Sequence, residues 1–249
     1  MQKRERPFQD HFSGHARQYA QFRPGYPPPL YLSLAECCER REMAWDCATG
    51  SGQAAAALAA YFDAVIATDA SNKQIATAIE CPNVTYRVAA AEHSNLPDAT
   101  ADLVTVAQAL HWFDIDAFFA EARRVLKPGG VLAAWSYDQC NVSATIDPVL
   151  RQMLADVERF WPPEREIVAN RYQGITPGLP ALGLPQQKMT ARWSIDQMLG
   201  YIRTWSATKR FLTSEGVDPV GIHEADLRRA WGDGIQRVEW PLTIKAWRR

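Results

Sequence analysis

The 249-residue sequence lacks the features that direct a chain to nucleic acid, to a membrane or to secretion. Its net charge is -1 and it contains no basic tract, which argues against nucleic acid as a partner. The longest apolar run, residues 54–62, is too short to span a bilayer. The first seven residues are charged and have no apolar core of a signal peptide. We therefore expect a cytoplasmic protein that binds neither nucleic acid nor a membrane.

Cysteine is also scarce. The five cysteines show no C-x-x-C spacing, and two of them, Cys37 and Cys38, are adjacent. This arrangement suits neither a disulfide framework nor a zinc site, so we expect free thiols and no bound metal. By contrast, nine tryptophans are many for this length, and some of them are expected to line an apolar pocket.

Residues 44–62 read as a strand, a glycine turn and a helix. Residues 44–47 are mostly apolar and suit a buried strand, whereas residues 53–62 are alanine-rich without Gly or Pro, which favours a helix. Between them, Gly50 and Gly52 permit positive φ and leave no Cβ in the way of a ligand. The free N–H groups at the start of such a helix favour a polar or anionic ligand group. Glycines at strand-to-helix turns can also serve geometry alone.

The ligand of this turn depends on its neighbours. Gly50, Gly52 and Ala55 fit the dinucleotide pattern G-x-G-x-x-G/A. Asp46 places a carboxylate at the end of the strand, four residues before Gly50. That charge would repel a pyrophosphate and attract an ammonium group.

A second carboxylate follows the next strand. Asp69 ends the apolar residues 64–68, at the spacing of about 20 residues at which a βαβ unit places an acid on ribose hydroxyls. An N-cap role is the alternative, because Ser71 and Asn72 follow and another helix begins.

The third and fourth strands, residues 84–89 and 102–107, also end in polar or aromatic residues. Glu92 follows the third strand, and the segment Gln-Ala-Leu-His-Trp-Phe-Asp at 108–114 follows the fourth. Ligands of open α/β sheets bind at these carboxyl ends. Within the segment, His111 could be a base, a substrate contact or a structural residue.

The remaining elements continue an alternation of strands and helices. Residues 116–126 form an amphipathic helix, which Lys-Pro-Gly-Gly at 127–130 ends before a strand at 131–135. We also expect helices at 30–41, 146–160, 195–205 and 218–231, a loop or lid at 172–185, and strands at 188–193 and 236–246. The order of elements predicts an α/β fold.

The motif Asp46-x-Ala48-x-Gly50-x-Gly52 resembles the first motif of class I S-adenosylmethionine-dependent methyltransferases, D/E-x-G-x-G-x-G, with Ala48 in place of the first glycine. Residues 126–130 resemble a turn that recurs in that class. The segments 19–27, 106–114 and 201–206 resemble the type 11-like methyltransferases of the trans-aconitate methyltransferase group. The resemblance implies a Rossmann-like, seven-stranded, mostly parallel sheet with helices on both faces, an antiparallel last strand and a helical cap.

On this basis we divide the chain into four parts. They are an N-terminal cap helix and linker (1–29), a cofactor-binding core (30–140), an insertion or lid (141–185), and a C-terminal part that completes the sheet and adds substrate-side helices (186–249).

The resemblance implies S-adenosylmethionine as the cofactor and a small-molecule methyl acceptor, with a carboxylate oxygen as a candidate nucleophile. Because the sulfonium is already activated, the protein mainly supplies alignment and a dry site. In the family's cap, the residues matching Tyr19 and Arg23 reach over the cofactor's carboxylate. His111 is the candidate catalytic base. The expected cofactor-binding residues are Tyr19, Arg23, Asp46, Ala48, Gly50, Gly52, Asp69, Ala70, Gln74, Ala91, Glu92, Gln108 and Trp112.

The C-terminal half offers side chains for an acceptor pocket. The aromatic candidates are Trp161, Tyr172, Trp193, Tyr201 and Trp205, and the cations that could orient a carboxylate are Arg171, Arg203, Lys209 and Arg210. Two other functions stay open: an NAD(P)-dependent oxidoreductase, and a non-catalytic nucleotide-binding module on the same fold. The oligomeric state is open as well.

Overall fold

The structure is a computed structural model that describes residues 24–249, and its centre is a sheet of eight strands. In chain order the strands are β1 (Met43–Cys47), β2 (Ala64–Asp69), β3 (Val84–Val88), β4 (Ala101–Ala107), β5 (Leu126–Tyr137), β6 (Ala181–Leu182), β7 (Lys188–Trp193) and β8 (Gln236–Arg248). The expected N-terminal cap helix, with Tyr19 and Arg23, lies outside the described residues.

The strands follow the order β3-β2-β1-β4-β5-β8-β6, and β7 also pairs with β8. Strands β1 to β5 pair in parallel, whereas β8 runs antiparallel to β5, β6 and β7. The predicted mostly parallel sheet with an antiparallel last strand is therefore confirmed. An eighth strand appears because the two residues of β6, in a segment expected to be a loop, pair with Trp247 and Ala246.

Helices connect and cover these strands. They are α1 (Pro28–Glu36), α2 (Gln53–Leu58), α3 (Asn72–Ile75), α4 (Ile115–Val125), α5 (Asp147–Val157), α6 (Arg165–Ala169), α7 (Ile195–Arg203), α8 (Ser206–Glu215) and α9 (Pro219–Trp231). Two short 3-10 turns, Leu110–Trp112 and Glu158–Phe160, follow β4 and α5.

The sheet has an apolar layer on each face, because successive side chains of a strand point to opposite sides. Ala44 and Leu103 belong to a buried cluster that includes residues of α1 and α2. Their neighbours Trp45 and Val104 belong to a second cluster that includes Phe118 of α4. Helices therefore cover both faces, as predicted.

Helix α2 is shorter than the alanine-rich sequence predicts. The helix ends at Leu58 rather than at residue 62. Asn83 explains the difference, because its Nδ2 donates to the carbonyl oxygens of Ala59 and Phe62 at 2.9 and 3.0 Å. A side chain from the loop before β3 thus satisfies carbonyls beyond the helix end.

The parallel strands β1 to β4 all end at one edge of the sheet, which we call the carboxyl edge. The residues expected to bind a ligand follow those strand ends. Within residues 24–249, no helix is long and apolar enough to cross a membrane, and no cluster of His, Cys, Asp or Glu could hold a metal ion. All five cysteines are free thiols, as predicted.

Candidate active site

The two glycines of the turn after β1 are required for different reasons. Gly50 has φ +57°, and a Cβ built there would meet nothing within 4 Å, so the backbone at this point is open to a ligand. Gly52 has φ +83°, and its Cβ would lie 2.3 Å from the hydroxyl oxygen of Tyr86 in β3. Gly52 is therefore needed for the contact with β3, and Gly50 leaves the approach that a ligand requires.

Ala48 occupies the position of the first motif glycine and has a positive φ of 54°. The left-handed conformation costs a residue with a Cβ about 1–2 kcal/mol. The departure from the motif thus leaves the turn in the conformation that glycine would adopt more easily. The backbone is retained, and the substitution adds strain.

Asp46 supports the turn from inside. Its Oδ1 accepts a hydrogen bond from Thr105 Oγ1 at 2.7 Å, and its Oδ2 accepts one from Thr49 Oγ1 at 2.6 Å. The side chain is fully buried, and burial raises the pKa of this carboxyl to about 6. The carboxylate ties β1 to β4 and to the turn, and the direct ligand contact expected from the sequence stays a prediction.

Asp69 joins the end of β2 to the same turn. Its Oδ2 accepts from the backbone N–H of Gly50 at 2.9 Å, and its Oδ1 accepts from that of Ser71 at 2.8 Å. The N-cap of α3 is Ser71, whose Oγ accepts from the N–H of Gln74 at 3.4 Å. The carboxylate of Asp69 therefore lies beside the open glycine, and Ser71 takes the capping role.

Further expected residues follow β2 and β3 at the carboxyl edge. Ala70 and Gln74 are half-buried around the start of α3, and Ala91 is buried. Glu92 Oε1 accepts from the N–H of Asp114 at 3.0 Å, which links the loop after β3 to the loop before α4. The contacts of these residues with a cofactor stay predictions.

Gln108 connects the ends of β4 and β5. Its Nε2 donates to the carbonyl of Tyr137 at 3.0 Å, and its Oε1 accepts from the N–H of Tyr137 at 2.8 Å. The residue has φ +55°, which turns the chain away from the sheet. The amide thus holds the strand ends together, while Gln108 and the half-buried Trp112 line a cleft beyond them.

His111 belongs to the 3-10 turn Leu110–Trp112 and is buried at the cleft, and its Nδ1 has no hydrogen-bond partner among the described residues. Burial, with the nearby charge of Arg165 as a smaller cause, lowers the pKa of this histidine to about 4. The imidazole is therefore neutral at pH 7, and it would be a weak proton acceptor.

The cleft extends from the ends of β4 and β5 to helices α5, α6, α7 and α8. Trp161, Tyr201, Trp205 and Lys209, all expected from the sequence, line it. Other expected residues do not, because folding places them elsewhere. Tyr172 and Trp193 are buried in the two apolar clusters, Arg203 pairs with Asp218 and Glu224, and Arg171 and Arg210 are exposed outside the lining.

Arg165, at the start of α6, is a cleft residue that the sequence analysis missed. Its guanidinium forms an ion pair with Asp138 and lies 4.0 Å from the centroid of the Trp161 ring. Arg151 and Asp138 line the cleft as well and were not expected. The five-residue helix α6 has no periodic pattern that would reveal it, and only the nearness of Arg165 to Trp161 in sequence could have suggested the pair.

Comparison with known proteins identifies relatives. A family model described as a methyltransferase domain matches residues 45–134. A candidate methyltransferase from Dictyostelium discoideum is 35% identical over 218 residues, which cover 85% of this chain and 82% of the relative. The solved structure of a candidate type II methyltransferase from Anaeromyxobacter dehalogenans is 42% identical, with a TM-score of 0.86, and the match covers 91% of this chain and 97% of that one.

A more distant structure shares the fold. A candidate methyltransferase from an antibiotic biosynthesis pathway of Anabaena variabilis superposes with a TM-score of 0.56 at 17% identity, covering 89% of this chain and 99% of that one. The described sheet is thus found in proteins that share little sequence with this chain.

Proposed function

Because this chain belongs to the class I S-adenosylmethionine-dependent methyltransferases, we propose that its methyl acceptor is a small molecule that binds in the aromatic cleft and reacts through a carboxylate oxygen. Because the chain belongs to this family, a methyltransferase function takes the place of the two alternatives that the sequence left open, an NAD(P)-dependent oxidoreductase and a non-catalytic nucleotide-binding module. The observation that carries the proposal is the set of cations and aromatic rings lining the cleft beyond β4 and β5.

The residues at the carboxyl edge fit the cofactor of the family. Gly50 leaves its backbone open, and the Asp69 carboxylate lies next to it with two backbone N–H groups as donors. Asp69 is suited to ribose hydroxyls because a carboxylate accepts hydrogen bonds from them. Gln108 and Trp112 belong to the boundary between this edge and the acceptor cleft.

S-adenosylmethionine, when bound, would supply a methyl group carried on a positively charged sulfur. Transfer of this group forms a C–O bond to the acceptor and breaks the S–C bond, whose electron pair stays on sulfur. A carboxylate is ionised at neutral pH, so no residue needs to remove a proton from it. The chain's part is to orient the acceptor and to exclude water from the reacting atoms, for which aromatic walls are suited.

The charges of the described cleft residues favour an anion. The cations are Arg151, Arg165 and Lys209, and the carboxylates are Asp138 and Asp147. Asp147 Oδ1 accepts from the backbone N–H groups of residues 142 and 143 at 2.8 and 3.2 Å, so part of its charge is already compensated locally. A carboxylate that enters the cleft therefore meets an excess of positive charge.

An amine or a phenol is the second candidate acceptor, and His111 is the residue that favours it. Its neutral imidazole lies at the cleft and could accept the proton that such an acceptor must lose. The pKa of about 4 makes that transfer unfavourable, so the carboxylate is the better choice.

Lys209→Met tests the anionic acceptor. An acceptor library that contains carboxylic acids, the matching amides, phenols and amines is screened for release of S-adenosylhomocysteine, and the product is analysed for a methyl ester. Loss of a charge-assisted contact should raise the KM of the carboxylic acid by roughly tenfold to a hundredfold. The control is Arg210→Met, an exposed neighbour outside the cleft, which should leave KM unchanged. Turnover of amines or phenols with none of the acids would contradict the proposal.

A further inference from the structure

Three aromatic side chains form a continuous wall of the cleft, which we call the aromatic wall: Trp161, Tyr201 and Trp205. The rings of Trp161 and Trp205 have centroids 6.0 Å apart and are tilted by 41°. Tyr201 meets Trp205 edge-on, with centroids 5.7 Å apart. The gap between neighbouring rings is already closed, so a ligand would pack against this wall and would not insert into it.

The wall is held from behind. Trp240 Nε1 donates to the Tyr201 hydroxyl oxygen at 3.1 Å, and the two rings pack with centroids 5.5 Å apart. Trp193 packs against both of them. These contacts fix Tyr201 in the buried core, so the wall has a shape that exists before any ligand binds.

Two cationic side chains adjoin rings of the aromatic wall. Arg165 is over the ring of Trp161 and is ion-paired with Asp138, and Lys209 follows Trp205 by one helical turn in α8. The cleft therefore combines aromatic rings with cationic side chains beside them. Such a lining suits a ligand with an aromatic body and one negative charge.

We propose that the methyl acceptor is an aromatic carboxylic acid whose ring packs on the aromatic wall and whose carboxylate points toward Arg165 and Lys209. This inference rests on the proposed carboxylate acceptor and adds the nature of its body. A flat ring gains from contact with other rings beyond the area that it buries, by about twofold to tenfold in affinity. A saturated ring of the same size and charge lacks that gain.

The test compares three probes that differ in one property at a time. Binding of 2-naphthoate, decahydro-2-naphthoate and 2-naphthamide to the full chain saturated with S-adenosylhomocysteine is measured by calorimetry. We expect naphthoate to bind about twofold to tenfold more tightly than its saturated analogue, and at least tenfold more tightly than the amide. Equal affinity for the two acids, or no binding of either, would overturn the aromatic acceptor.

Variants of the chain test whether the preference for naphthoate over its saturated analogue comes from the aromatic wall. Trp205→Leu should remove the difference between the two acids, while Lys209→Met should weaken both acids equally and keep it. Phe211→Leu is the control, because Phe211 is an aromatic residue of the same helix that packs on Phe160 outside the cleft lining. Thermal melts check that each variant folds, and Trp161→Leu replaces Trp205→Leu if the latter does not. A preference that survives in a folded wall variant contradicts the inference.

The two proposals fail in different ways. If the amide binds as tightly as naphthoate while the saturated acid binds weakly, the aromatic preference stands and the carboxylate acceptor is wrong. If both acids bind equally and the amide does not, the carboxylate acceptor stands and the aromatic body is wrong.

Discussion

At the scale of single residues, Ala48 is the position where the motif and the backbone disagree. Its φ of 54° suits glycine, so Ala48→Gly should relieve about 1 kcal/mol of strain in the folded protein. About half of that gain should be offset, because glycine gives the unfolded chain more conformational freedom. We expect the free energy of unfolding to rise by roughly 0.5 kcal/mol in urea titrations. Ala56→Gly, inside α2, is the control and should lose about 1 kcal/mol. Equal losses in both variants would show that Ala48 is not strained.

Asp69 and Gly50 are the residues whose loss should affect the cofactor most directly. Asp69→Ala should weaken S-adenosylmethionine by about 1–3 kcal/mol, because partners of its carboxylate are left unpaired. Gly50→Val should abolish binding, since no protein atom lies within 4 Å of the added Cβ and the side chain would take the space open to the ligand. Valine is also strained at the φ of +57°, so a thermal melt checks that this variant is folded. Calorimetry measures both variants, with Asp63→Ala, an exposed carboxylate before β2, as the control. Wild-type affinity in both variants would contradict the assignment of this edge.

His111 distinguishes the two acceptor classes. For a carboxylate acceptor, His111→Ala should lower kcat little, whereas an amine or phenol acceptor should lose about 10²–10⁴-fold. The buried environment also moves the titration from the pH 6–7 of an ordinary histidine to about pH 4. His111 should therefore contribute no titration to the pH profile of kcat for a carboxylate between about pH 5 and 8. A large loss of rate with a proven carboxylate acceptor and unchanged cofactor affinity would contradict this account.

At the scale of elements, the first βαβ unit and the strand ends could be predicted from sequence because their determinants are local. Apolar runs, glycine turns and an amphipathic helix such as α4 each leave a pattern within a few residues. Helix α8 was missed because its sequence is largely polar and only Ala207 and Thr208 are buried. Its existence depends on packing against elements that are distant in sequence.

The acceptor site was predicted less well than the turn for the same reason. Trp161, Tyr201 and Trp205 could be proposed from composition, but their meeting with Arg165 depends on the five-residue helix α6. A helix of that length is stable only through tertiary contacts. The prediction that Tyr172 and Trp193 line the acceptor cleft was wrong, because an aromatic residue in the right segment can face the core as readily as the cleft.

The edge strand β3 supports the glycine turn through Tyr86. The Tyr86 hydroxyl donates to the carbonyl oxygen of Ile79 at 2.6 Å. The N–H of Ile79 in turn donates to the carbonyl oxygen of Ser51 at 3.0 Å. A Cβ at Gly52 would collide with this ring. Gly52→Ala should thus destabilise the protein by about 1–3 kcal/mol, through strain at positive φ and through the collision.

A double-mutant cycle separates the two causes. In a Tyr86→Ala background the collision is gone and only the strain is left, so the cost of Gly52→Ala should fall by at least about 0.5 kcal/mol. Urea denaturation of the four proteins measures the coupling. Additive effects would mean that Tyr86 does not determine the requirement for glycine.

At the scale of the whole molecule, two buried groups affect the pH dependence of stability in opposite directions. Burial raises the pKa of Asp46 to about 6, so between about pH 4 and pH 6 the folded protein holds a proton that the unfolded chain has lost. This group makes the free energy of unfolding fall as the pH rises. Burial lowers the pKa of His111 from 6.5 to about 4, so there the unfolded chain holds the extra proton and the free energy of unfolding rises with pH.

Removal of either group should expose the effect of the other. Relative to wild type, His111→Phe should gain about 2 kcal/mol of stability as the pH is lowered from 7 to 4.5, because the folded protein no longer has to exclude a proton from this site. Asp46→Asn should show the opposite trend, since the wild-type protein gains stability when Asp46 takes up a proton. Urea titrations at several pH values give the differences, and His93→Phe, an exposed histidine, is the control and should follow wild type. If the stabilities of His111→Phe and His93→Phe have the same pH dependence, His111 does not have a lowered pKa. The argument that His111 is a weak base in the cleft then fails, and the choice of a carboxylate over an amine or a phenol loses that support.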